Sequence, residues 1–120
     1  MFLNLSNHPS ANWSAEQSEV AKRLYGEIVD LPFPVVDPTG DEEYIATLAD
    51  KYCQMVLEMS EGLEITVHLM GEMTFTFALI QCLRIHNIPC VASTTQREIV
   101  EHSDGRKESL FKFVKFREYR

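Results

Sequence analysis

Four short apolar runs alternate with helical patterns over the first 95 residues. The runs are Phe2–Leu5, Ile28–Leu31, Glu64–Met70 and Ile88–Ala92. Each is short, apolar and bounded by turn residues, which predicts a buried strand. Between these runs, apolar residues recur at helical spacing at 15–25 and 45–56, and the segment 72–86 is apolar on nearly every side, which is typical of a helix covered on more than one face. This order predicts an α/β fold with a mainly parallel four-stranded core sheet and helices on both of its faces.

Local signals support the helix boundaries. Ser14 and Gln17 have the spacing of a capping box, and Gly26 is suited to end the first helix. Thr39 and Glu42 offer a second capping box before the second helix. Both helices should therefore begin close to these hydroxyl residues.

The C-terminal segment has a different pattern, typical of a β-hairpin. Two alternating stretches, 98–102 and 110–116, flank a turn that contains Asp104-Gly105. Phe113 and Phe116 should lie on opposite faces of a regular strand, so the last strand is either covered on both sides or bulged. We expect a single domain of residues 1–120, with a parallel core over 1–95 and a hairpin over 96–120.

Charge restricts the classes of partner. The chain of 120 residues has a net charge of -7, with 4 basic and 13 acidic residues over 1–94 and 7 basic and 5 acidic residues over 95–120. An acidic body argues against binding to duplex nucleic acid, which needs a basic face. A small anionic ligand held by local groups remains compatible with this charge.

The cysteines and the opening of the chain favour a cytoplasmic protein. Cys53, Cys82 and Cys90 are an odd number without CxxC spacing, which indicates buried thiols in a reducing compartment. We find no secretion signal and no apolar run of the length that a membrane span requires. No set of His, Cys and carboxylate residues has metal-ligand spacing, so no metal or other cofactor is expected.

Polar residues follow the predicted strands at the edge where open parallel sheets bind ligands. They are, in chain order, Ser6-Asn7-His8-Pro9-Ser10, Asp30, Gly71-Glu72-Met73-Thr74, and Ser93-Thr94-Thr95-Gln96-Arg97. His8 has a side chain that can donate a proton or bind phosphate, unless it only caps the loop. Arg97 can bind phosphate through its planar fork, or it merely begins the hairpin. Gly71 permits close backbone approach at a helix start, although Glu72 beside it opposes an anion there.

These motifs resemble a known family. The segments Asn4-Leu5-Ser6-Asn7-His8-Pro9, Trp13-Ser14-Ala15-Glu16-Gln17 and Ile28-Val29-Asp30-Leu31-Pro32 are similar to those of small stand-alone CRISPR-associated proteins with a CARF-like, Rossmann-type fold. Some members of that family are type III ring nucleases. The resemblance implies a three-layer Rossmann-like sandwich and a homodimer that binds a cyclic oligoadenylate second messenger at its interface.

The resemblance also implies a reaction and a set of site residues. Ring nucleases often work without a metal, by placing a ribose 2′-hydroxyl in line with the neighbouring phosphorus. His8 would then be the acid or phosphate donor, helped by Asn7, while Arg97 would screen charge. By the resemblance the ligand would be bound by Ser6, Ser10, Gly71, Glu72, Met73 and Thr74, and the polar end of the fourth predicted strand adds Ser93 and Thr94. The chain departs from the family expectation because neither loop contains Lys. The alternative is a non-catalytic cyclic-nucleotide sensor or a protein-interaction module on the same fold.

Overall fold

The protein is an α/β structure with a five-stranded mixed sheet and three helices; a computed structural model describes residues 1–120. The strands are β1 (Phe2–Ser6), β2 (Ile28–Asp30), β3 (Thr66–Met70), β4 (Cys90–Glu101) and β5 (Lys107–Glu118). The helices are α1 (Ala15–Tyr25), α2 (Glu42–Met59) and α3 (Met73–Ile85). No helix combines the length and the apolar character needed to cross a membrane.

The strands are ordered β2-β1-β3-β4-β5. β1 to β4 run parallel to one another, and β5 pairs antiparallel with β4. The predicted parallel core and C-terminal antiparallel hairpin are therefore present. Within the core, Asn4 of β1 lies directly beside His68 of β3.

Each face of the sheet packs against its own helices. Leu3 and Leu5 of β1 lie in the larger apolar cluster, which contains Val56 of α2 and Leu79 of α3. Phe2 faces the other way, into a smaller cluster beside α1. Alternation along β1 thus separates a thick α2–α3 side from a thin α1 side.

The helix boundaries follow local chemistry. Ser14 accepts a hydrogen bond from the Gln17 amide at the start of α1, and Gly26, with φ of +95°, ends that helix as predicted. At α2 the capping residue is Asp41, which accepts from the Tyr44 amide, rather than Thr39. A carboxylate satisfies a first-turn amide as a hydroxyl does and also interacts favourably with the helix dipole.

The fourth core strand and the first arm of the hairpin form one continuous strand, β4, where the sequence predicts two. No Gly or Pro interrupts residues 90–101, and Thr94 and Thr95 favour extended backbone. Beyond Ser93, β4 pairs with β5 alone and extends about 26 Å past the end of β3. The radius of gyration of 16.2 Å accordingly exceeds the about 14 Å of a compact chain of this length.

A β-bulge at Val114 resolves the mixed pattern of the last strand. Thr94 pairs with Lys115 and Thr95 with Phe113, so Val114 has no partner. The extra residue brings Phe113 and Phe116 to the same face, where their ring centroids are 4.9 Å apart. Both rings are buried against α1, which confirms the bulged alternative.

Candidate functional site

A crevice opens near the carboxyl ends of β1 and β3 and beside β4 from Ser93 onward, on the α1 side of the sheet. The chain leaves β1 for a helix on one face, whereas α2 and α3 lie on the other face. Neighbouring strands whose chains continue to opposite faces of a sheet form a topological switch point. The loops that follow them diverge and leave a gap, which is where open parallel sheets bind ligands. The strand order puts this gap between β1 and β3.

The crevice has a volume of about 550 Å³. One wall is the β1–α1 loop and the start of α1, with His8, Asn12, Trp13, Ser14, Glu16 and Gln17. The other wall is the hairpin, with Thr95, Glu98, Leu110, Phe111, Lys112 and Phe113. His68 and Ser93, which project from the sheet, also line it. The crevice thus combines polar side chains with aromatic rings on both walls, Trp13 on one and Phe111 and Phe113 on the other, and Lys112 is its one Lys or Arg side chain.

A network of polar side chains, which runs from the buried Asn4 to the exposed Asp30, lies behind the crevice and fixes the β1–α1 loop. The Asn4 amide nitrogen donates to Asp30 Oδ1 at 2.8 Å and to the His8 carbonyl at 2.9 Å. Asp30 also accepts from the Ser10 hydroxyl at 2.7 Å and from the Ser10 amide at 3.1 Å. The Trp13 indole donates to the same His8 carbonyl at 3.1 Å. Together these bonds hold both ends of the loop against β1 and β2.

The network determines which nitrogen of His68 carries the proton. Both partners of the Asn4 amide nitrogen are pure acceptors, so the Asn4 amide oxygen must face His68. That oxygen lies 2.9 Å from His68 Nδ1 and can only accept, so Nδ1 is the protonated nitrogen. In the neutral ring Nε2 then has a free lone pair, 3.2 Å from the Ser93 hydroxyl. The order is Ser93, His68, Asn4, a hydroxyl–imidazole–amide chain across three strands.

Burial keeps His68 neutral. Only 2% of the residue is exposed, and its ring packs edge-on against Trp13 and Phe116, with ring centroids 5.3 and 5.6 Å apart. Desolvation, with a smaller contribution from the nearby charge of His8, lowers the pKa of His68 from 6.5 to about 4. At neutral pH its Nε2 atom is therefore an acceptor.

Asp30 stays ionised for a different reason. Partial burial raises the pKa of this carboxyl, but the hydrogen bonds from Ser10 and Asn4 outweigh burial, and the net pKa is lowered. An ionised Asp30 strengthens its hydrogen bond to the Asn4 amide. The negative charge thus lies behind the network, separated from His68 by Asn4.

Two of the residues predicted to form the site meet at the crevice. His8 lies on its rim and Ser93 on its floor. Ser6 and Asn7 instead line an adjoining cleft of about 260 Å³, beside Asp30 and Phe33. The Ser6 hydroxyl donates to Asn4 Oδ1 at 2.8 Å, so this predicted ligand-binding group acts within the network.

The turn after β3 is occupied by its own side chains. A Cβ on Gly71 would collide with the Phe33 ring, so this glycine makes room for packing. The Glu72 carboxylate accepts from the amides of Thr74 and Phe75 at 2.8 and 3.0 Å. The hydroxyl of Thr74 and these amides lower the pKa of Glu72. The first amides of α3 are therefore capped by a carboxylate that would compete with a phosphate.

The remaining predicted residues point elsewhere. Met73 and Thr74 line a shallow groove with Phe77, between α2 and α3. The Thr94 hydroxyl donates to the Lys115 carbonyl across the hairpin. Arg97 donates to the Ser109 hydroxyl through Nε and Nη2, at 3.1 and 2.9 Å, and does not line the crevice.

Asn4 and His68 are the site residues that the sequence prediction missed, whereas Asp30 was among the polar residues expected at the strand ends. A signal for both missed residues was present, because a polar residue stands in the middle of each of the apolar runs 2–5 and 64–70. A buried polar group needs a partner, and two such groups in neighbouring strands are candidates to pair. The structure brings together no group of three or more His, Cys, Asp and Glu side chains arranged to hold a metal ion.

The fold and the crevice define an open-sheet α/β protein with a crevice at the switch point of its sheet. Within this class, the family model of the uncharacterized protein MJ1673 family matches residues 1–117, and the chain belongs to that family. No curated protein matches the chain.

Proposed function

We propose that the protein is a CRISPR-associated ring nuclease, with a CARF-like, Rossmann-type three-layer fold, that binds and cleaves a cyclic oligoadenylate at a homodimer interface. The observation that carries the proposal is the crevice at the switch point, which combines an aromatic wall, hydroxyl groups and a neutral imidazole. These groups suit a nucleotide: Trp13 offers a ring face to a base, and the polar floor suits ribose and phosphate.

The charge of the crevice defines how such a ligand would be held. Lys112 is its cationic residue, His8 adds a charge when protonated, and Glu16 and Glu98 line the same walls. Stacking and hydrogen bonds must therefore contribute more than attraction between ions. Raising the salt from about 50 to 200 mM should weaken binding by less than about tenfold, because few cations release counterions.

A second copy would complete the site for a cyclic ligand. The crevice is open on the side away from the sheet, and Phe111 on its hairpin wall is 69% exposed. A two-fold partner placed over this edge would cover exposed apolar side chains and present a second crevice to the opposite half of the ring.

The test uses the sole tryptophan, Trp13, which lines the crevice. Cyclic tetra-adenylate and cyclic hexa-adenylate are titrated against Trp13 fluorescence, and the reaction is followed by chromatography for a linear product with a 2′,3′-cyclic phosphate end. Each assay is run with and without EDTA, and sedimentation gives the oligomeric state. Quenching together with a linear product supports the proposal. The absence of both quenching and linear product, with both rings, would overturn it.

His8→Ala, with His86→Ala as the matched control, locates the site. His86 follows α3 at the opposite end of the sheet, next to Asn87. We expect His8→Ala to slow cleavage and His86→Ala to leave it unchanged. An equal loss in both variants would contradict the location.

The second candidate is a non-catalytic sensor that binds the same ligand. Two observations favour it: Glu72 caps the amides of α3, and Arg97 is held by Ser109. Both remove predicted phosphate contacts from the crevice. A sensor would quench Trp13 fluorescence and return the ring intact, which the same two assays separate from cleavage.

A further inference from the structure

The chain of Ser93, His68 and Asn4 has the layout of a proton relay. Asn4 fixes the ring by accepting from His68 Nδ1 at 2.9 Å, and Nε2 faces the Ser93 hydroxyl at 3.2 Å. A nucleophilic or proton-accepting hydroxyl, a base and a group that orients the base are the parts that such a relay needs. Asp30 supports the far end by accepting from the Asn4 amide nitrogen at 2.8 Å.

Ser93 is the more exposed end of this relay, although His68 also borders the crevice. His68 is buried beneath Trp13 and Phe116, whereas Ser93 is half-buried on the crevice floor. A ligand in the crevice can therefore reach the imidazole through the serine hydroxyl. A polar network serving only the core would not need a member open to the crevice.

We propose that Ser93 is a catalytic residue that takes the proton of the attacking ribose 2′-hydroxyl and passes its own proton to His68 Nε2. This inference rests on the proposed function and assigns its base. Asn4 and His68 are positioning and proton-storing residues that do not touch the ligand. Neither His68 nor Asn4 belongs to the loops that the resemblance places next to the ligand.

The step balances without a co-reactant. The 2′-O–H bond breaks as its proton moves to Ser93 Oγ, and the serine proton moves to His68. The 2′-oxygen bonds to phosphorus, the bond from phosphorus to the leaving 5′-oxygen breaks, and a protonated His8 on the rim donates to that oxygen. The products are a 2′,3′-cyclic phosphate and a 5′-hydroxyl. His68 then releases its proton to solvent and His8 regains one.

The low basicity of His68 sets the expected size of the effect. A weak base accelerates the removal of a proton less than a strong one does. We therefore expect the relay to accelerate cleavage about 10²-fold, at the low end of the usual range for general-base catalysis. A bound phosphate would favour the imidazolium by its negative charge. Burial keeps His68 neutral before the reaction.

The experiment compares three full-length variants in single-turnover cleavage and in Trp13 fluorescence titration with cyclic tetra-adenylate and cyclic hexa-adenylate. Ser93→Ala removes the relay hydroxyl and should slow cleavage about 100-fold while changing Kd less than about threefold. Ser93→Thr keeps a hydroxyl and should recover most of the rate. Thr94→Val is the matched control, because it deletes a hydroxyl from the next residue, which bonds the Lys115 carbonyl outside the crevice.

The outcomes separate this inference from the proposed function. Wild-type cleavage that Ser93→Ala leaves intact would overturn the relay and leave the nuclease standing. A wild-type protein that cleaves neither ring overturns both. NMR of the histidine ring nitrogens gives a readout independent of turnover: we expect the Nδ1–H form of His68, with an Nε2 resonance that shifts in Ser93→Ala. An Nε2–H form would refute the relay whatever the rates.

Discussion

Replacing His68 by Gln should remove part of the acid sensitivity of the fold. Burial, and then the nearby charge of His8, lowers the pKa of His68 from 6.5 to about 4. Because the folded-state pKa lies below the unfolded value, the unfolded chain binds the extra proton as the pH falls. The stability due to neutral His68 is therefore fully present above pH 6.5 and is lost as the pH falls toward 4.

The size of this effect follows from the two pKa values. The gap between 6.5 and about 4 corresponds to about 3.4 kcal/mol when fully titrated, of which about 2.5 kcal/mol is lost between about pH 7.5 and about pH 4.5. His68 is almost completely buried, so solvent screening reduces this figure little. Gln has no titrating group, and its amide can still donate to Asn4.

Urea unfolding at several pH values measures the difference. Wild type should be more stable than His68→Gln at about pH 7.5, and this gap should narrow by about 2.5 kcal/mol at about pH 4.5. Asp30 and Glu72, whose pKa values are lowered, also make the fold acid-sensitive, but they are present in both proteins and cancel. His86→Gln, at the opposite end of the sheet, should follow wild type. A gap between wild type and His68→Gln that stays constant with pH would refute a buried, neutral His68.

The turn after β3 yields two further predictions for unfolding experiments. Glu72→Ala removes the carboxylate that accepts from the amides of Thr74 and Phe75 and should cost about 1 kcal/mol; no loss would mean that solvent caps α3 equally well. Gly71→Ala places a methyl group against the Phe33 ring and should cost about 1–3 kcal/mol. Phe33→Leu should reduce that cost when combined with Gly71→Ala, and strictly additive effects would contradict the contact.

Local signals predicted the order of the elements well. Ser14, Gly26 and the Asp104-Gly105 turn act through their nearest neighbours along the chain, so their effects are readable from sequence spacing alone. The continuous β4 strand was harder, since only the absence of a break after Ala92 distinguishes one long strand from two. The spacing of Phe113 and Phe116 indicated either a bulge or a strand covered on both sides, but it did not give the residue at which the bulge occurs.

The interior of the candidate site could not be predicted in the same way. The bond between Asn4 and His68 depends on the register of β1 against β3, which pairs residues 64 positions apart. The positions of Thr94 and Arg97 depend on the bulge and on hairpin partners. Each of these is a long-range pairing, and sequence spacing carries no information about which residues of two strands lie side by side.

The crevice exists because the two faces of the sheet are covered unequally. Two helices, α2 and α3, pack against one face, whereas the other has only α1, whose 11 residues span about 16 Å. The bulged hairpin fills part of the remaining area by placing Phe113 and Phe116 against α1. Neither element covers Ser93 completely, and Ser93 lies next to the buried side chain of His68, which in turn contacts Asn4. Polar residues at these positions can be partnered by one another and still reach a ligand through Ser93, which an apolar core packed on both faces would not allow.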